Sequence, residues 1–406
     1  MSIRTAINYD DLERLARRRL PRIMHDFIEG GVDGEDGIAR NHSAFSDVRL
    51  VPKYMVDVNS IDTSTTLFGR KYSQPFGIAP TGAAGLFRYG ADMMLARAAR
   101  DANIPFIMSG AATASIEDMA KVAPDHGWYQ VYQAKDRGIA DDMVRRADKA
   151  GCAALVITVD VPGMAKRERN MRNGFSRPIK PTLSAKVEAL RHPGWMLEYY
   201  SQTRHQQIVP NWAPYAPARS SPDQVADFFS AQARDATSWD DIVRIRKLWP
   251  RALIIKGIMH PADAKRAEAL GVDGIMVSNH GGRQLDRAPA PIEVLPAIRD
   301  AVSDKMTLML DSGIRRGSDI VTALCMGAKF AFVGRWTLYG VTAGAEAGAR
   351  HAVDMISKEV GCVMTQMGAP DIRTLGPDFL FWNTKDDLKL VLSSAVPPPM
   401  PSSRKP

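Results

Sequence analysis

An eight-stranded parallel α/β barrel, a (β/α)8 fold, is what this sequence predicts, on three observations. From about residue 75 onward, short apolar runs alternate with amphipathic stretches, and eight such strand-then-helix pairs follow one another. Side chains capable of chemistry sit just past the end of each run. Eight consecutive units favour a closed parallel barrel over an open sheet.

The runs fall at 76–79, 106–108, 128–132, 154–158, 253–256, 274–277, 307–310 and 330–333. Each is too short for a helix and continuous enough for a strand buried on both faces. Helical patterns lie between them at 91–102, 116–123, 139–150, 239–248, 262–270, 292–301 and 319–326. Gly151, Gly271 and Gly327 follow three of these, where a left-handed cap residue is expected. Past the strand ends come Pro80-Thr81-Gly82, Ser109, Gln130 with Tyr132, Thr158 with Asp160, Lys256, His280 with Arg283, Asp311, and Gly334-Arg335. In such barrels the site lies at the carboxyl ends of the strands.

The densest of these ends is Ser278-Asn279-His280-Gly281-Gly282-Arg283-Gln284-Leu285-Asp286. Histidine exchanges a proton near neutral pH, arginine presents a planar fork to a carboxylate, and glycines let backbone and ligand approach closely. Taken alone the stretch also reads as a polar turn after a strand. Its place among seven similar strand ends favours a site for a small anion that loses a proton.

The 406 residues carry a net charge of +8 and are 45% hydrophobic and 24% charged, ordinary for a globular chain with a bias toward anionic partners. No basic cluster interleaves with aromatics, so nucleic acid is not an expected partner. Cys152, Cys325 and Cys362 have neither metal-ligand nor paired-disulfide spacing, and no metal is expected. The start, Met1-Ser2-Ile3-Arg4, lacks the apolar core of a signal peptide, and no run approaches the roughly 18 apolar residues of a spanning helix. The expectation is a cytoplasmic protein, peripheral at most on the inner face of the membrane.

From about Tyr9 to Phe379 the chain resembles the FMN-dependent 2-hydroxy-acid oxidising family of glycolate oxidase, L-lactate dehydrogenase and, most closely, (S)-mandelate dehydrogenase. An ordered set of signatures carries the resemblance. They are Leu20-Pro21 with Asp26, Ile78-Ala79-Pro80-Thr81-Gly82, Gln130-Val131-Tyr132, Thr158-Val159-Asp160, Lys256-Gly257, the His280 nonapeptide, Asp311-Ser312-Gly313-Ile314-Arg315-Arg316-Gly317, and Gly334-Arg335. Arg167-Glu168-Arg169, His192-Pro193 and Trp336-Thr337-Leu338-Tyr339-Gly340 point to the mandelate branch.

The resemblance implies FMN as cofactor and oxidation of an (S)-2-hydroxy acid to the 2-oxo acid, with quinone or oxygen as acceptor. It implies His280 as base, Asp160 as its orienting carboxylate, Arg283 and Arg167 as a substrate-carboxylate clamp, and Tyr132 as a hydrogen-bond donor to the substrate. Lys256 is then expected at the flavin, with Thr81, Ser109, Gln130 and Thr158 hydrogen-bonding around the ring. Asp311 is expected at the ribityl chain, Gly313, Arg315, Gly334 and Arg335 at the phosphate, and Ala79, Pro80, Gly82, Ser278 and Ser312 elsewhere against the cofactor. A homo-oligomer, a tetramer in relatives, is also implied.

One position departs from the pattern. The family carries a Tyr-Asp-Tyr-like run whose hydroxyl meets the substrate carboxylate, and here the run is His25-Asp26-Phe27. Two further readings therefore stay open: a different 2-hydroxy or modified-peptide substrate, and a non-catalytic flavin-binding barrel. Residues 1–70 read as a helical cap on the barrel of 71–380. The segment 163–237 reads as an insertion, either an active-site lid or a membrane contact because it mixes Lys180, Lys186, Arg191, Arg204 and Arg219 with Trp195, Tyr199, Tyr200, Trp212 and Tyr215. The Pro/Ser-rich end at 395–406 reads as a disordered tail.

Overall fold

The structure, a computed structural model, describes residues 1–176, 179–232 and 236–382, so the tail expected at 395–406 lies outside the described residues. Strands β1 (Phe76–Ile78), β2 (Phe106–Met108), β3 (Gly127–Val131), β4 (Ala154–Thr158), β5 (Ala252–Ile258), β6 (Gly274–Val277), β7 (Thr307–Leu310) and β8 (Phe330–Val333) close into a barrel. Neighbours pair in parallel, and β8 returns to β1 with Ala331 in register with Phe76. The expected runs occupy these strands with small shifts at their ends. The largest is in β5, which continues past Lys256 through a bulge at Gly257.

Side chains on a strand alternate between faces, so every second residue points into the barrel. Ile107, Trp128, Val156, Ile254, Met276, Met309 and Phe332 pack together there, apart from the shell beneath the helices. Two residues further along the same strands come Ser109, Gln130, Thr158, Lys256, Ser278, Asp311 and Gly334. Packing below and polar chemistry above are therefore the same face of the same strands.

The helices form where the sequence supplies their ends. Ser115 and Ser238 accept hydrogen bonds from the amides of Asp118 and Asp241, capping Ile116–Val122 and Trp239–Leu248. Gly151, Gly271 and Gly327 take positive φ angles of 82°, 74° and 109° beyond their helices. The long helix Arg335–Met367 breaks at Gly344 and Ala345.

Residues 1–70, expected as one helical cap, divide into two parts. Helices Tyr9–Arg19, Arg22–Glu29 and Asp36–Ser46 carry the first part, and Gly31 and Gly37 meet the backbone of Gly282 at the carboxyl end of β6. The second part is an antiparallel hairpin, Thr65–Leu67 with Arg70–Tyr72, turned through Phe68 and Gly69 at φ 50° and 80°. It covers the opposite end of the barrel: Leu67 and Tyr72 join the interior cluster, and the Phe68 ring lies 5.8 Å from that of Trp128. Two strands of three residues each carry too little alternation to be told from loop in the sequence.

The insertion after β4 is largely helical, with Glu168–Asn173, Leu183–Ala189, Pro193–Ser201 and Pro222–Gln232. Its tryptophans face inward, contrary to the reading that set them at a membrane interface. Trp195 Nε1–H donates to Leu86 O at 2.9 Å, and Trp212 Nε1–H donates to Gly110 O at 2.9 Å. Among its described residues the large apolar side chains left in solvent are Met164, Met171, Leu183, Val187, Leu190, Leu197 and Tyr200.

Candidate active site

A cavity of about 780 Å³ opens at the carboxyl ends of the strands. Of the residues singled out from the sequence, Ala79, Pro80, Thr81, Gly82, Tyr132, Arg167, Lys256, His280, Arg283, Asp311, Ser312, Gly313, Arg315, Gly334 and Arg335 line it. Ser109, Gln130, Thr158, Asp160 and Ser278 stand behind that lining. There Gln130 Nε2–H donates to Thr158 Oγ1 at 2.6 Å, and Ser109 Oγ accepts from the Ala111 amide at 3.1 Å.

Lys256 is the electrostatic centre. It is 3% exposed at the end of β5, and a buried ammonium is tenable only with partners. Its Nζ donates to Ser278 Oγ at 2.7 Å and lies 3.3 Å from Asp311 Oδ2 and 3.8 Å from Asp160 Oδ2. Burial works against its charge, but Asp160 and Asp311 hold its pKa above the ordinary lysine value.

His280 Nδ1 lies 3.0 Å from Asp160 Oδ1. Burial favours the neutral acid at Asp160, yet Lys256 and then His280 outweigh it and keep the carboxyl below its ordinary range. For His280, burial leads, aided by Lys256 and Arg167, and its pKa falls below the ordinary value despite the attraction of Asp160. A charged carboxylate therefore faces an imidazole that stays neutral near pH 7. With Nδ1–H directed at Asp160, Nε2 keeps the lone pair that can accept a proton.

The turn that carries His280 is unusual in its backbone. His280, Gly281 and Gly282 take φ of 59°, 69° and 74° in succession, a conformation that costs a non-glycine residue energy. The Gly281 amide donates to Ser312 Oγ at 2.9 Å and the Gly282 amide to Asn279 Oδ1 at 3.1 Å. Asn279 in turn exchanges two amide hydrogen bonds with Asn41, at 2.6 and 2.8 Å. The cap thus locks the turn, through a residue 238 positions away that no local sequence pattern marks.

Two arginines from different strand ends converge on helix Arg22–Glu29. Arg283 donates to Ile28 O at 3.1 Å and to Gly30 O, while Arg335 donates to Ile28 O at 2.9 Å and Glu29 O at 3.2 Å. Carbonyls at a helix C-terminus attract cations, and these hold both guanidinium groups beside the cavity. Arg167 reaches the same corner, donating to Arg283 O at 3.3 Å and Gln284 Oε1 at 3.0 Å. Arg315 lies over the Tyr9 ring at 4.2 Å, next to the left-handed Ser312 and Gly313. The insertion also supplies Met164, Asn170, Met171 and Phe175 to the lining, none of which stood out in the sequence.

The strand ends of this barrel carry a proton acceptor, a buried cation and two arginine-bearing turns, and the chain belongs to a family of oxidoreductases, the FMN-dependent dehydrogenases, which residues 16–382 match. Its cofactor is FMN. The (S)-mandelate dehydrogenase of Pseudomonas putida is 37% identical over 374 residues, covering 92% of this chain and 93% of that protein. An L-lactate dehydrogenase of Caulobacter vibrioides is 35% identical over 370 residues, covering 91% and 96%. Among solved structures, the monotopic membrane protein (S)-mandelate dehydrogenase superposes with a TM-score of 0.89 at 36% identity, covering 93% of this chain and all of that one. A mandelate oxidase with (S)-4-hydroxymandelic acid gives 0.79 at 33% identity, covering 91% and 97%.

The cavity suits FMN on its own terms. Small residues, Ala79, Pro80, Gly82 and Gly334, leave one wall open for a planar ring, and Lys256 stands at its floor. Asp160 Oδ2 is buried behind that lining without a hydrogen bond, 3.8 Å from Lys256 Nζ. Arg315 and Arg335 line the same cavity as the left-handed loop of Ser312 and Gly313, and together they would offer the cations a phosphate dianion needs.

Proposed function

We propose that this protein oxidises an (S)-2-hydroxy acid to the corresponding 2-oxo acid, of the mandelate-like or lactate-like kind, and passes the electrons on to quinone or oxygen. The observation that carries the reading is the 3.0 Å pair of His280 and Asp160, with Arg283 and Arg167 beside it on the same cavity. Bound FMN supplies the two-electron acceptor for the alcohol carbon. Arg283 and Arg167 bind the substrate carboxylate, whose planar pair of oxygens suits guanidinium. Tyr132 hydrogen-bonds the substrate oxygen. His280 Nε2 takes a proton from the acid, and Asp160 stabilises the imidazolium that results, a division of labour that places opposite charges in contact only after proton transfer.

The flavin ring would be held by Ala79, Pro80, Thr81, Gly82, Ser109, Gln130, Thr158, Lys256 and Ser278, the ribityl chain by Asp311 and Ser312, and the phosphate by Gly313, Arg315, Gly334 and Arg335. Lys256 neutralises charge that accumulates near the cavity floor. Phe27 takes the tyrosine position and donates no hydrogen bond, so carboxylate recognition falls to the arginines. The exposed Leu183, Val187 and Leu190, with Lys180, Lys186 and Arg191 nearby, support a peripheral contact with an anionic membrane surface. Among the described residues no helix is long and apolar enough to cross a membrane.

Anaerobic mixing of the flavin-loaded protein with (S)-mandelate and (S)-lactate tests the reading. Bleaching of the flavin absorbance is expected; a yellow protein that neither these nor other 2-hydroxy acids bleach overturns it.

A further inference from the structure

The geometry points to Phe27 and Phe175 as a specificity-determining pair that selects 2-hydroxy acids with an aryl or branched apolar side chain. This rests on the 2-hydroxy-acid reading above and narrows it.

Phe27 sits on the cap helix Arg22–Glu29 and Phe175 just beyond the insertion helix Glu168–Asn173, and both line the cavity. Their rings stack at 4.2 Å with 24° between planes, and Phe87 follows behind Phe27 at 5.8 Å. On the cavity side the Arg283 guanidinium carbon lies 5.2 Å from the Phe27 centroid. One apolar wall therefore adjoins the cation assigned to the substrate carboxylate. A substrate held by its carboxylate at Arg283 must place other atoms within reach of that wall.

The placement of Phe175 is built, not incidental. Gly174 has φ 74°, and a Cβ there would fall 2.3 Å from Lys180 O, so the chain turns sharply just before the ring. Polar contacts fasten the insertion to the cap on both sides of the stack. Asn173 Nδ2–H donates to Asp26 Oδ2 at 2.6 Å, the Asp33 amide donates to Lys166 O at 3.0 Å, and Arg169 pairs with Asp26 at 3.7 Å and with Glu35. The wall is thus held over the cavity before any substrate arrives.

With phenylalanine at position 27, this wall presents ring carbon where a hydroxyl would present a donor. A small acid leaves that carbon against water, whereas an aryl or branched side chain displaces the water. In a filled apolar pocket each added methylene is worth about 10- to 200-fold in kcat/KM.

The test uses the full-length, flavin-loaded protein and four substrates: (S)-lactate, (S)-2-hydroxy-4-methylpentanoate, (S)-mandelate and (S)-3-phenyllactate, followed by anaerobic flavin reduction. The wild type is expected to prefer at least one of the three larger acids to lactate by about tenfold or more in kcat/KM. Phe175→Ala is expected to lower kcat/KM for that acid about fivefold or more, chiefly through KM, while lactate changes by less than about twofold. Phe175→Leu, which keeps bulk without a ring, should retain the branched acid better than the aryl ones. Flavin content and circular dichroism establish that each variant is folded; if Phe175→Ala is not, Phe27→Leu provides the same comparison. An equal loss on all four acids, or a wild type that prefers lactate, overturns the pair as a specificity element. Bleaching by none of the four, in folded yellow protein, removes the 2-hydroxy-acid reading itself, a result recognisable because the wild type shares it.

Discussion

His280 Nδ1 and Asp160 Oδ1 lie 3.0 Å apart although the two residues are 120 positions apart in the chain, because β4 and β6 flank β5 and deliver both to one corner of the barrel mouth. Asp160 raises the proton affinity of His280, while burial, Lys256 and Arg167 lower it. Replacing Asp160 with asparagine removes the raising partner. The acid limb of the kcat/KM profile should therefore move to lower pH, and the plateau should fall because the imidazolium loses its counter-charge. Replacing His280 with glutamine should cost about 10²- to 10⁴-fold in kcat/KM at pH 7. Flavin reduction followed from pH 5 to 9 checks both. An Asp160→Asn limb displaced upward would contradict the assignment.

Lys256 neutralises two buried carboxylates at once. Its replacement by methionine leaves Asp160 and Asp311 without that cation, and breaking a buried pair by removing one partner costs about 3–5 kcal/mol. Urea unfolding of the flavin-free variant should show a clearly lower midpoint. An unchanged midpoint would mean the carboxylates find another partner.

Gly257 stands at φ 106° beside the site, and a Cβ there would lie 2.6 Å from Asp160 Cβ. Gly257→Ala should push Asp160 away from His280 and lower kcat by about 100-fold, the scale of an ångström-sized displacement. FMN content should remain near wild type, since the arginines proposed to hold its phosphate are elsewhere. Loss of flavin in step with activity would show a wider collapse.

Removal of Arg335 tests the proposed phosphate site. Its guanidinium occupies the corner between Gly281 and the cap carbonyls. Arg335→Ala should raise the Kd for FMN by about 10- to 100-fold, the worth of one charge-assisted contact, in fluorescence titration of the apoprotein. Riboflavin, which lacks the phosphate, should bind wild type and variant alike.

If the proposed membrane contact holds, serine at Leu183, Val187 and Leu190 together should lower recovery of the protein with anionic vesicles and leave flavin content intact. These side chains are 77%, 59% and 67% exposed, so their loss removes little packing. Unchanged vesicle recovery would discard this face as an anchor.

The barrel was legible because its signals are local and periodic. Runs such as 274–277 are strands in any context, and the residue after such a run is placed by the alternation of the strand itself. Lys256 stood out for the same reason, as a charge where the pattern demands an inward side chain. What escaped notice depends on contacts between distant segments. Asn41 acquires its meaning only from Asn279, as a polar residue on the buried face of its helix, and Phe175 only from Phe27. The tryptophans of the insertion misled because composition does not reveal which way a ring points: Trp212 is fully buried against Gly110, not at an interface with lipid.

The hairpin beneath the barrel has a kinetic consequence. With Phe68 and Tyr72 packed across the lower end, the large cavity among the described residues opens at the other, where the proposed acid and an acceptor approaching bound FMN would both enter. If that mouth admits only one of them at a time, the keto acid leaves before the acceptor reaches the flavin, and double-reciprocal plots at several acceptor concentrations should run parallel.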